Sequence, residues 1–215
     1  MTLNTRTIGI SKMNDILVYV EGGNTMLEGY IQHLGWGVTD NPEDCNVLLF
    51  SGGEDVHPMY YGEEPHPNAG PYDIHRDGLC ETLFLKAAYH DNVIIVGICR
   101  GAQFVNVMCG GSLIQDIGYD HCRDHYVNCI YPKYDKILVS STHHQVMLPG
   151  PGASVLMTSS INPDNMYSEP IAECVQYGDT ILCLQSHPEY LGYDKLSQFF
   201  KEKVENMFAN WRMKT

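Results

Sequence analysis

The segment VIIVGICRGAQFVNVMCGG, residues 93–111, changes within a few residues from an apolar, β-branched run to helical spacing. Such a run is typical of a strand buried on both faces, and two closing glycines are typical of a helix end. The chain must turn sharply between strand and helix, and glycines on both sides of the turn relieve the crowding. The sequence therefore places Cys99 at the carboxyl end of a buried strand, where a helix begins.

The same alternation of strand and helix fills the first half of the chain. Two further strands are predicted at 15–20 and 45–50, and two further helices at 25–34 and 78–90. This order favours a mostly parallel central sheet with helices on both faces. The second half has shorter extended segments that we expect to form antiparallel or edge strands, and it closes with an amphipathic helix; these segments are 136–142, 153–160, 171–177, 179–186 and 196–211.

Composition narrows the class of protein. The 215 residues include 26 acidic and 13 basic ones, a formal charge of -13, which disfavours nucleic acid and anionic membranes as partners. No apolar run reaches the roughly 18 residues that cross a bilayer, and the first residues lack the apolar stretch of a secretory signal. The eight cysteines are scattered without a CxxC pair, which favours reduced thiols. We expect one cytoplasmic domain, residues 1–215.

A helix amino terminus favours a thiolate, so the turn both exposes and activates Cys99 as a nucleophile. A cysteine nucleophile needs a base, and the base needs a group that orients it. The segment ILCLQSHPEY supplies His187 and Glu189, separated by one proline, after another apolar strand. These residues predict a Cys-His-Glu triad, although a single cysteine in a turn is more often a packing residue.

Attack on a carbonyl also requires backbone donors for the oxygen that becomes negative. Ser51, Gly52 and Gly53 follow a buried strand, and glycine lets a backbone N–H approach a ligand closely. We assign one donor to the N–H of Gly53 and the other to the N–H of Arg100. An ordinary pair of turn glycines is the alternative.

Three other features of the sequence could be functional sites: a cluster of His and Cys, two glycine pairs and an irregular segment. His121, Cys122, His125 and Cys129 have short spacings that suit zinc, but they match no known finger, and we expect packing or substrate contact and no metal. The glycine pairs at 22–23 and 110–111 match neither GxGxxG nor a P-loop, so no nucleotide site is predicted. The irregular segment 57–75 carries Tyr60 and Tyr61 and is either surface packing or a lid.

The motif GICRGAQ, residues 97–103, resembles the GxCxGxQ nucleophile motif of class I glutamine amidotransferases. QSHPE, residues 185–189, resembles the HPE that completes their triad, with His187 lying 187 - 99 = 88 residues after Cys99. Within this superfamily the chain is most similar to the branch of γ-glutamyl hydrolases and γ-glutamyl-γ-aminobutyrate hydrolases. That similarity is carried by SGGEDVHPMYYGEE, GICRGAQFVNVMCGGSLIQDI and STHHQV, and it spans about residues 45 to 190.

The resemblance implies a flavodoxin-like three-layer sandwich, an α/β fold with antiparallel strands at the edge of a mostly parallel sheet. It implies Cys99 as nucleophile, His187 as base and acid, and Glu189 as orienter, with no cofactor. It also implies that the substrate is held by Gly52, Gly53 and Gln103, with His143, His144 and Gln145 lining the same pocket. Ser140 and Ser141 stand where the branch often has Asn-Ser, which bears on the leaving group.

Two functions share this chemistry. The first is a self-sufficient hydrolase of γ-glutamyl amides that proceeds through a glutamyl thioester. The second is a glutaminase subunit that acts on glutamine and delivers ammonia to a separate ATP-dependent synthetase or ligase partner. A silent binding module of the same fold is a third possibility, which the complete set of catalytic residue types disfavours.

Overall fold

The computed structural model describes residues 15–90, 93–118, 122–159, 170–190 and 192–214. His121 lies outside the described residues. The helices are α1 (Thr25–His33), α2 (Ile74–His90), α3 (Arg100–Met108) and α4 (Asp194–Arg212), with a short 3-10 helix at Pro58–Tyr61. The strands are β1 (Leu17–Val20), β2 (Gly37–Val38), β3 (Val47–Phe50), β4 (Ile94–Ile98), β5 (Ser112–Ile114), β6 (His125–Cys129), β7 (Lys136–Val139), β8 (Val146–Leu148), β9 (Ala153–Ser159), β10 (Ile171–Tyr177) and β11 (Ile181–Leu184).

The strands of these ranges form one mixed sheet. Its main path runs β2-β1-β3-β4-β11-β10-β9-β6-β7, while β8 pairs with β10 and β5 pairs with β8. The pairs β2-β1, β1-β3, β3-β4 and β4-β11 are parallel. The pairs β11-β10, β10-β9, β9-β6 and β6-β7 are antiparallel. The fold is thus an α/β fold with a parallel core and an antiparallel half.

Helices cover both faces of the sheet because the parallel strands are apolar on both sides. On one face α1 and α4 pack through side chains such as Leu27, Phe199 and Phe200. On the other face α2 and α3 pack through Cys80, Phe84 and Phe104. Strands β3 and β4 are buried at every residue, as their uninterrupted apolar runs predict.

Register brings the carboxyl ends of the parallel strands to one edge. Gly97 of β4 pairs with Phe50 of β3, and Ile98 pairs with Leu184 of β11. The residues that follow β3, β4 and β11 therefore emerge side by side. In open α/β sheets this edge is the usual place for a ligand site.

Most elements predicted from the sequence are confirmed, including α1, whose cap residue Asn24 accepts the N–H of Leu27 at 3.1 Å. Strand β11 is antiparallel to β10, as expected for the second half, but it also pairs in parallel with β4 and so lies at the centre of the sheet, which was not expected. Strand β11 follows β10 after a short turn, whereas its parallel partner β4 is far away in the sequence. The pairing with β4 therefore forms only in the folded chain. The short strands β2, β5, β6 and β8 were not predicted, because two to five residues carry too little periodicity.

The described cysteines are all free thiols, and Cys45, Cys80, Cys99, Cys174 and Cys183 are buried. Within the described ranges, no helix is both long and apolar enough to cross a membrane.

Helix α3 begins almost in contact with the end of β3. A β-carbon placed on Gly101 would lie 2.1 Å from the carbonyl oxygen of Phe50, far inside a van der Waals contact. Because the obstacle is backbone, it cannot move aside as a flexible side chain does. Gly101 is therefore required for the close approach of helix and strand.

We predict that Gly101→Ala lowers the free energy of unfolding by about 1–3 kcal/mol, because the added methyl overpacks the contact with β3. Gly29→Ala is the matched control: Gly29 lies in α1 with no atom within 4 Å of the added carbon, so the change should be neutral or stabilising by up to about 1 kcal/mol. Urea unfolding measures both. Equal stability of the two variants would contradict the packing argument.

Candidate active site

Cys99 sits in the turn between β4 and α3 with a strained backbone. Its φ is 53° and its ψ is -116°. Among the described residues, Cys99 is the only non-glycine residue with a positive φ. The Cys99 N–H donates to the carbonyl of Leu184 at 2.9 Å, and its carbonyl accepts the N–H of Gln103 at 3.1 Å. The first bond extends the strand pairing and the second starts the helix, so the two elements together hold the turn in this conformation.

His187 and Glu189 follow β11 at the same edge. The imidazole Nδ1 of His187 and Oε1 of Glu189 are 2.7 Å apart. The backbone N–H of His187 donates to the Ser140 hydroxyl at 3.1 Å. The ring of Tyr190 stacks on the imidazole, with centroids 4.5 Å apart and planes at 2°. The imidazole is thus fixed by a carboxylate on one nitrogen and by a ring on one face.

Gly52 shows how closely the strand ends converge. A β-carbon at this position would lie 3.1 Å from Cε1 of His187 and 3.6 Å from Cβ of Cys99. The loops after β3, β4 and β11 therefore meet around one point. All three residues were expected there from the sequence, and the structure brings them together.

The imidazole of His187 carries a raised pKa. Burial alone lowers the pKa, but hydrogen bonds and charge from Cys99 and Glu189 outweigh it and raise the pKa to about 10 from the ordinary 6.5. The protonated form is therefore stabilised between the Cys99 sulfur and the Glu189 carboxylate. This arrangement suits a proton donor adjacent to a sulfur nucleophile.

Gly53 lies against a residue that no sequence motif indicated. Its φ is 153°, and a β-carbon there would lie 2.0 Å from Nη1 of Arg76. Arg76 belongs to the first turn of α2 and is bound by Glu21, which follows β1, at 2.8 Å. The glycine loop is thus packed directly against a partly buried ion pair.

The side chain of Arg100 points away from the turn and into the core beneath α2. Its guanidinium pairs with Asp77, donates to the Cys80 sulfur at 3.2 Å and lies 5.1 Å from the ring centroid of Phe104. Both members of the ion pair are at most 2% exposed. As the first residue of α3, Arg100 has a backbone N–H without an acceptor inside the helix.

Gln103 and Gln145 are both buried, and the side-chain amide of each donates hydrogen bonds to neighbouring residues. The Gln103 amide donates to the carbonyl of Gln145 at 3.1 Å and to the Gln185 side chain at 3.3 Å. The Gln145 amide donates to the carbonyl of Gln115 at 3.2 Å. These two residues connect α3 with the loop before β8, immediately behind the strand end that carries His187.

The two histidines of this loop occupy different positions. His143 is buried, and its Nδ1 atom lies 2.8 Å from the Gln145 carbonyl. His144 lies between two carboxylates, with Nε2 at 3.1 Å from Asp55 and Nδ1 at 3.1 Å from Asp116. His144 therefore ties the loop after β3 to the segment after β5.

Tyr60 and Tyr61, the aromatic pair of segment 57–75, pack against the hydrophobic cluster under α2 and α3. Tyr60 makes an edge contact with Phe104 at 6.2 Å between ring centroids. Packing, the default interpretation of this pair, accounts for their placement.

The cysteine and histidine cluster considered for zinc is only partly described, since His121 lies outside the described residues. The Cys122 thiol donates to the His143 carbonyl at 3.1 Å, and His125 lies on β6 with Nε2 3.3 Å from Glu173. In the described part of the chain, no group of three or more His, Cys, Asp or Glu side chains is placed to hold a metal.

Comparison with known proteins gives one matching family model, Peptidase C26, over residues 39–189. A glutamine amidotransferase-like protein of Lactococcus lactis, YvdE, is 28% identical over 76% of this chain and 72% of its own length. A candidate glutamine amidotransferase of Mycobacterium tuberculosis is 29% identical over 68% of this chain and 51% of its own length. The chain thus matches between half and about three quarters of these two relatives.

Solved structures share the fold at low identity. A candidate GMP synthase component of Thermoplasma acidophilum superposes with a TM-score of 0.66 at 17% identity, over 92% of this chain and 96% of that chain. A chain of PurLQS from Thermotoga maritima gives a TM-score of 0.62 at 17% identity, over 93% of this chain and 99% of that one.

We predict that His187 stays protonated well above pH 7, because Cys99 and Glu189 stabilise the imidazolium. Since the folded pKa lies above the unfolded value, the stabilisation is fully present below about pH 6.5 and is lost as the pH rises towards about 10. NMR titration of the histidine rings measures this, and Glu189→Gln should lower the midpoint. A neutral His187 ring at pH 7.5 would contradict the assignment.

Proposed function

The chain belongs to the peptidase C26 family of class I glutamine amidotransferase-like proteins, and we propose that it is a cysteine hydrolase of γ-glutamyl amide bonds. The observation that carries the proposal is the convergence of Cys99, the Glu189-bound His187 and Gly52 at one sheet edge. A nucleophile, an oriented base and a glycine loop are the parts that acyl transfer requires.

In the proposed reaction the Cys99 thiolate attacks the δ-carbonyl carbon of a γ-glutamyl amide and forms a tetrahedral oxyanion. The backbone N–H groups of Gly53 and Arg100 donate to that oxygen. When the C–N bond breaks, the proton of His187 passes to the departing nitrogen, which leaves as a neutral amine. A glutamyl thioester on Cys99 remains.

The second half of the reaction uses the same histidine as a base. Neutral His187 takes a proton from water, and the resulting hydroxide adds to the thioester carbonyl. The C–S bond breaks, glutamate leaves, and the thiolate and imidazolium are restored. The raised pKa of His187 supports this cycle because the resting site holds the proton that the first leaving group needs.

The substrate contacts form a finer part of the proposal. A β-carbon at Gly52 would contact Cys99, so the absence of a side chain there would leave room for the glutamyl chain. The side chains of three buried residues, Gln103, His143 and Gln145, are hydrogen-bonded within the fold. This supports a role in forming the wall of the pocket, since such side chains are not free to move towards a substrate. His144, held between Asp55 and Asp116, would shape the same wall from the side of the glycine loop.

The second candidate function is a glutaminase subunit that supplies ammonia to a separate synthetase or ligase. Its supporting observation is the likeness to a chain of PurLQS, although at 17% identity that likeness concerns the fold. Both candidates use the same triad and differ in leaving group and partner.

In either case we propose a single domain over residues 1–215 acting in the cytoplasm, since one sheet joins the described elements and the described cysteines are free.

We predict that Cys99→Ala lowers turnover of a γ-glutamyl amide by at least about a thousandfold, because it removes the atom that forms the thioester. Cys45→Ala is the matched control, since Cys45 is also buried but precedes β3, at the opposite end of the sheet. Glutamate release measured enzymatically reports both rates. Substantial activity in Cys99→Ala would overturn the nucleophile assignment.

We predict that the purified chain, without any partner, cleaves a γ-glutamyl amide larger than glutamine. The segment 57–75 and the loop at 143–145 resemble the hydrolase branch, which works alone. The assay compares glutamine with a panel of γ-glutamyl amides by glutamate release. Silence on the whole panel, with activity only after addition of an ATP-dependent ligase, would favour the second candidate function.

A further inference from the structure

We infer that Arg76 and Asp77, adjacent residues in the first turn of α2, are positioning residues that fix the two oxyanion donors relative to each other. Arg76 holds the loop that contains Gly53, and Asp77 holds Arg100. The inference rests on the proposed function, because it takes the N–H groups of Gly53 and Arg100 as the donors. Neither Arg76 nor Asp77 has a role in the triad.

Arg76 joins the ends of β1 and β3. Its Nε and Nη2 atoms bind the two carboxylate oxygens of Glu21 at 3.1 and 2.8 Å. Nη2 also donates to the Ser51 hydroxyl at 3.0 Å, and Nη1 donates to Glu54 at 3.2 Å. The guanidinium therefore contacts the residues on both sides of the glycine pair.

The same guanidinium also limits the position of Gly53 itself. Because Nη1 would lie 2.0 Å from a β-carbon at Gly53, the arginine occupies the space beside that α-carbon. The loop cannot move towards α2 without a clash, and its bonds to Ser51 and Glu54 keep it from moving away. Glycine has more backbone conformations available than any other residue, so such a loop needs contacts that hold it in one of them.

Asp77 holds the other donor in an equivalent way. One carboxylate oxygen pairs with the guanidinium of Arg100, and the other accepts the N–H of His57 at 3.0 Å. Asp77 is fully buried, so this ion pair is shielded from water. Anchoring the Arg100 side chain fixes the first residue of α3, whose N–H is the proposed donor.

The charges of these residues favour positioning over substrate binding. The Nε, Nη1 and Nη2 atoms of Arg76 are all bonded to the protein, and the buried carboxylate of Glu21 is sufficient to balance its charge. Asp77 likewise balances Arg100. A substrate carboxylate would have to displace buried carboxylates, which is costly. Arg76 and Asp77 instead fix the distance between the N–H groups of Gly53 and Arg100, which follow different strands. Stabilisation of an oxyanion depends on such fixed geometry.

The test compares Arg76→Lys with the wild-type chain. Lysine keeps the charge opposite Glu21 but cannot make the forked contacts with Ser51 and Glu54. We expect kcat to fall about ten- to hundredfold with KM within about threefold, since removal of a whole oxyanion donor costs about 10²–10³. The rate of Cys99 alkylation by iodoacetamide should change less than about twofold, because alkylation forms no oxyanion.

Two substrates separate this inference from the proposed function. A γ-glutamyl amide tests both together, whereas p-nitrophenyl acetate acylates an activated thiol without glutamyl recognition and still forms an oxyanion. Lys86→Met is the matched control, since Lys86 lies on the same helix in an exposed ion pair with Glu43. Its kcat should equal that of the wild type.

Further variants keep the test decisive if Arg76→Lys folds poorly. Glu54→Gln removes the charge of an exposed partner of Arg76 and weakens their bond, so it should lower kcat in the same direction, by a smaller factor. Asp77→Asn should lower kcat without altering the alkylation rate. Arg76→Ala should regain part of its lost kcat when millimolar guanidinium is added, which a general loss of structure would not do.

Several results would overturn the inference. These are an unchanged kcat in Arg76→Lys, a raised KM at constant kcat, which would indicate substrate binding, or a parallel loss of alkylation, which would indicate general damage. If the wild type reacts with the ester but with no γ-glutamyl amide, the proposed function fails while the ester data still decide the inference. Absence of any Cys99-dependent acylation overturns both.

Discussion

The parallel pairing of β3, β4 and β11 is the constraint on which the site depends. Phe50 pairs with Gly97, and Ile98 pairs with Leu184, so the three strands end at nearly the same level. Each strand is followed at once by a chemically active segment: the glycine loop, Cys99, and the segment that ends in His187. A slip of register by one residue would turn each side chain to the other face. Strand pairing, more than any contact among the reactive groups, therefore brings them together.

The turn at Cys99 stores strain that the surrounding structure has to hold. A non-glycine residue at φ 53° costs on the order of 1–3 kcal/mol, and it persists only where neighbouring bonds fix it. Here the carbonyl of Leu184 fixes the amino side and the N–H of Gln103 fixes the carboxyl side. Close packing of Gly101 on β3 prevents the helix from moving outward. The strain has a geometric consequence, since the sulfur is held beside His187 at the amino end of α3.

Local signals predicted much of this molecule. Uninterrupted apolar runs predicted β3 and β4, and turn glycines and the short His187–Glu189 spacing indicated the reactive groups. Arg76 and Asp77 were not predicted, because their partners Glu21 and Arg100 lie 55 and 23 residues away in the chain and the pairing exists only in the folded state. The central place of β11 was missed for the same reason. Contacts between distant segments, and short strands that depend on a neighbour, leave no periodic trace in the sequence.

The proposed mechanism requires that Cys99 form a covalent glutamyl thioester. Its most direct measurement is mass spectrometry of the intact protein, mixed with a γ-glutamyl amide and quenched in acid within the first turnover, followed by peptide mapping. We expect a mass increase of one glutamyl group on the peptide that contains Cys99, which hydroxylamine removes and which is absent from Cys99→Ala. Glutamate release without any such adduct, or an adduct on another cysteine such as Cys122, would contradict it.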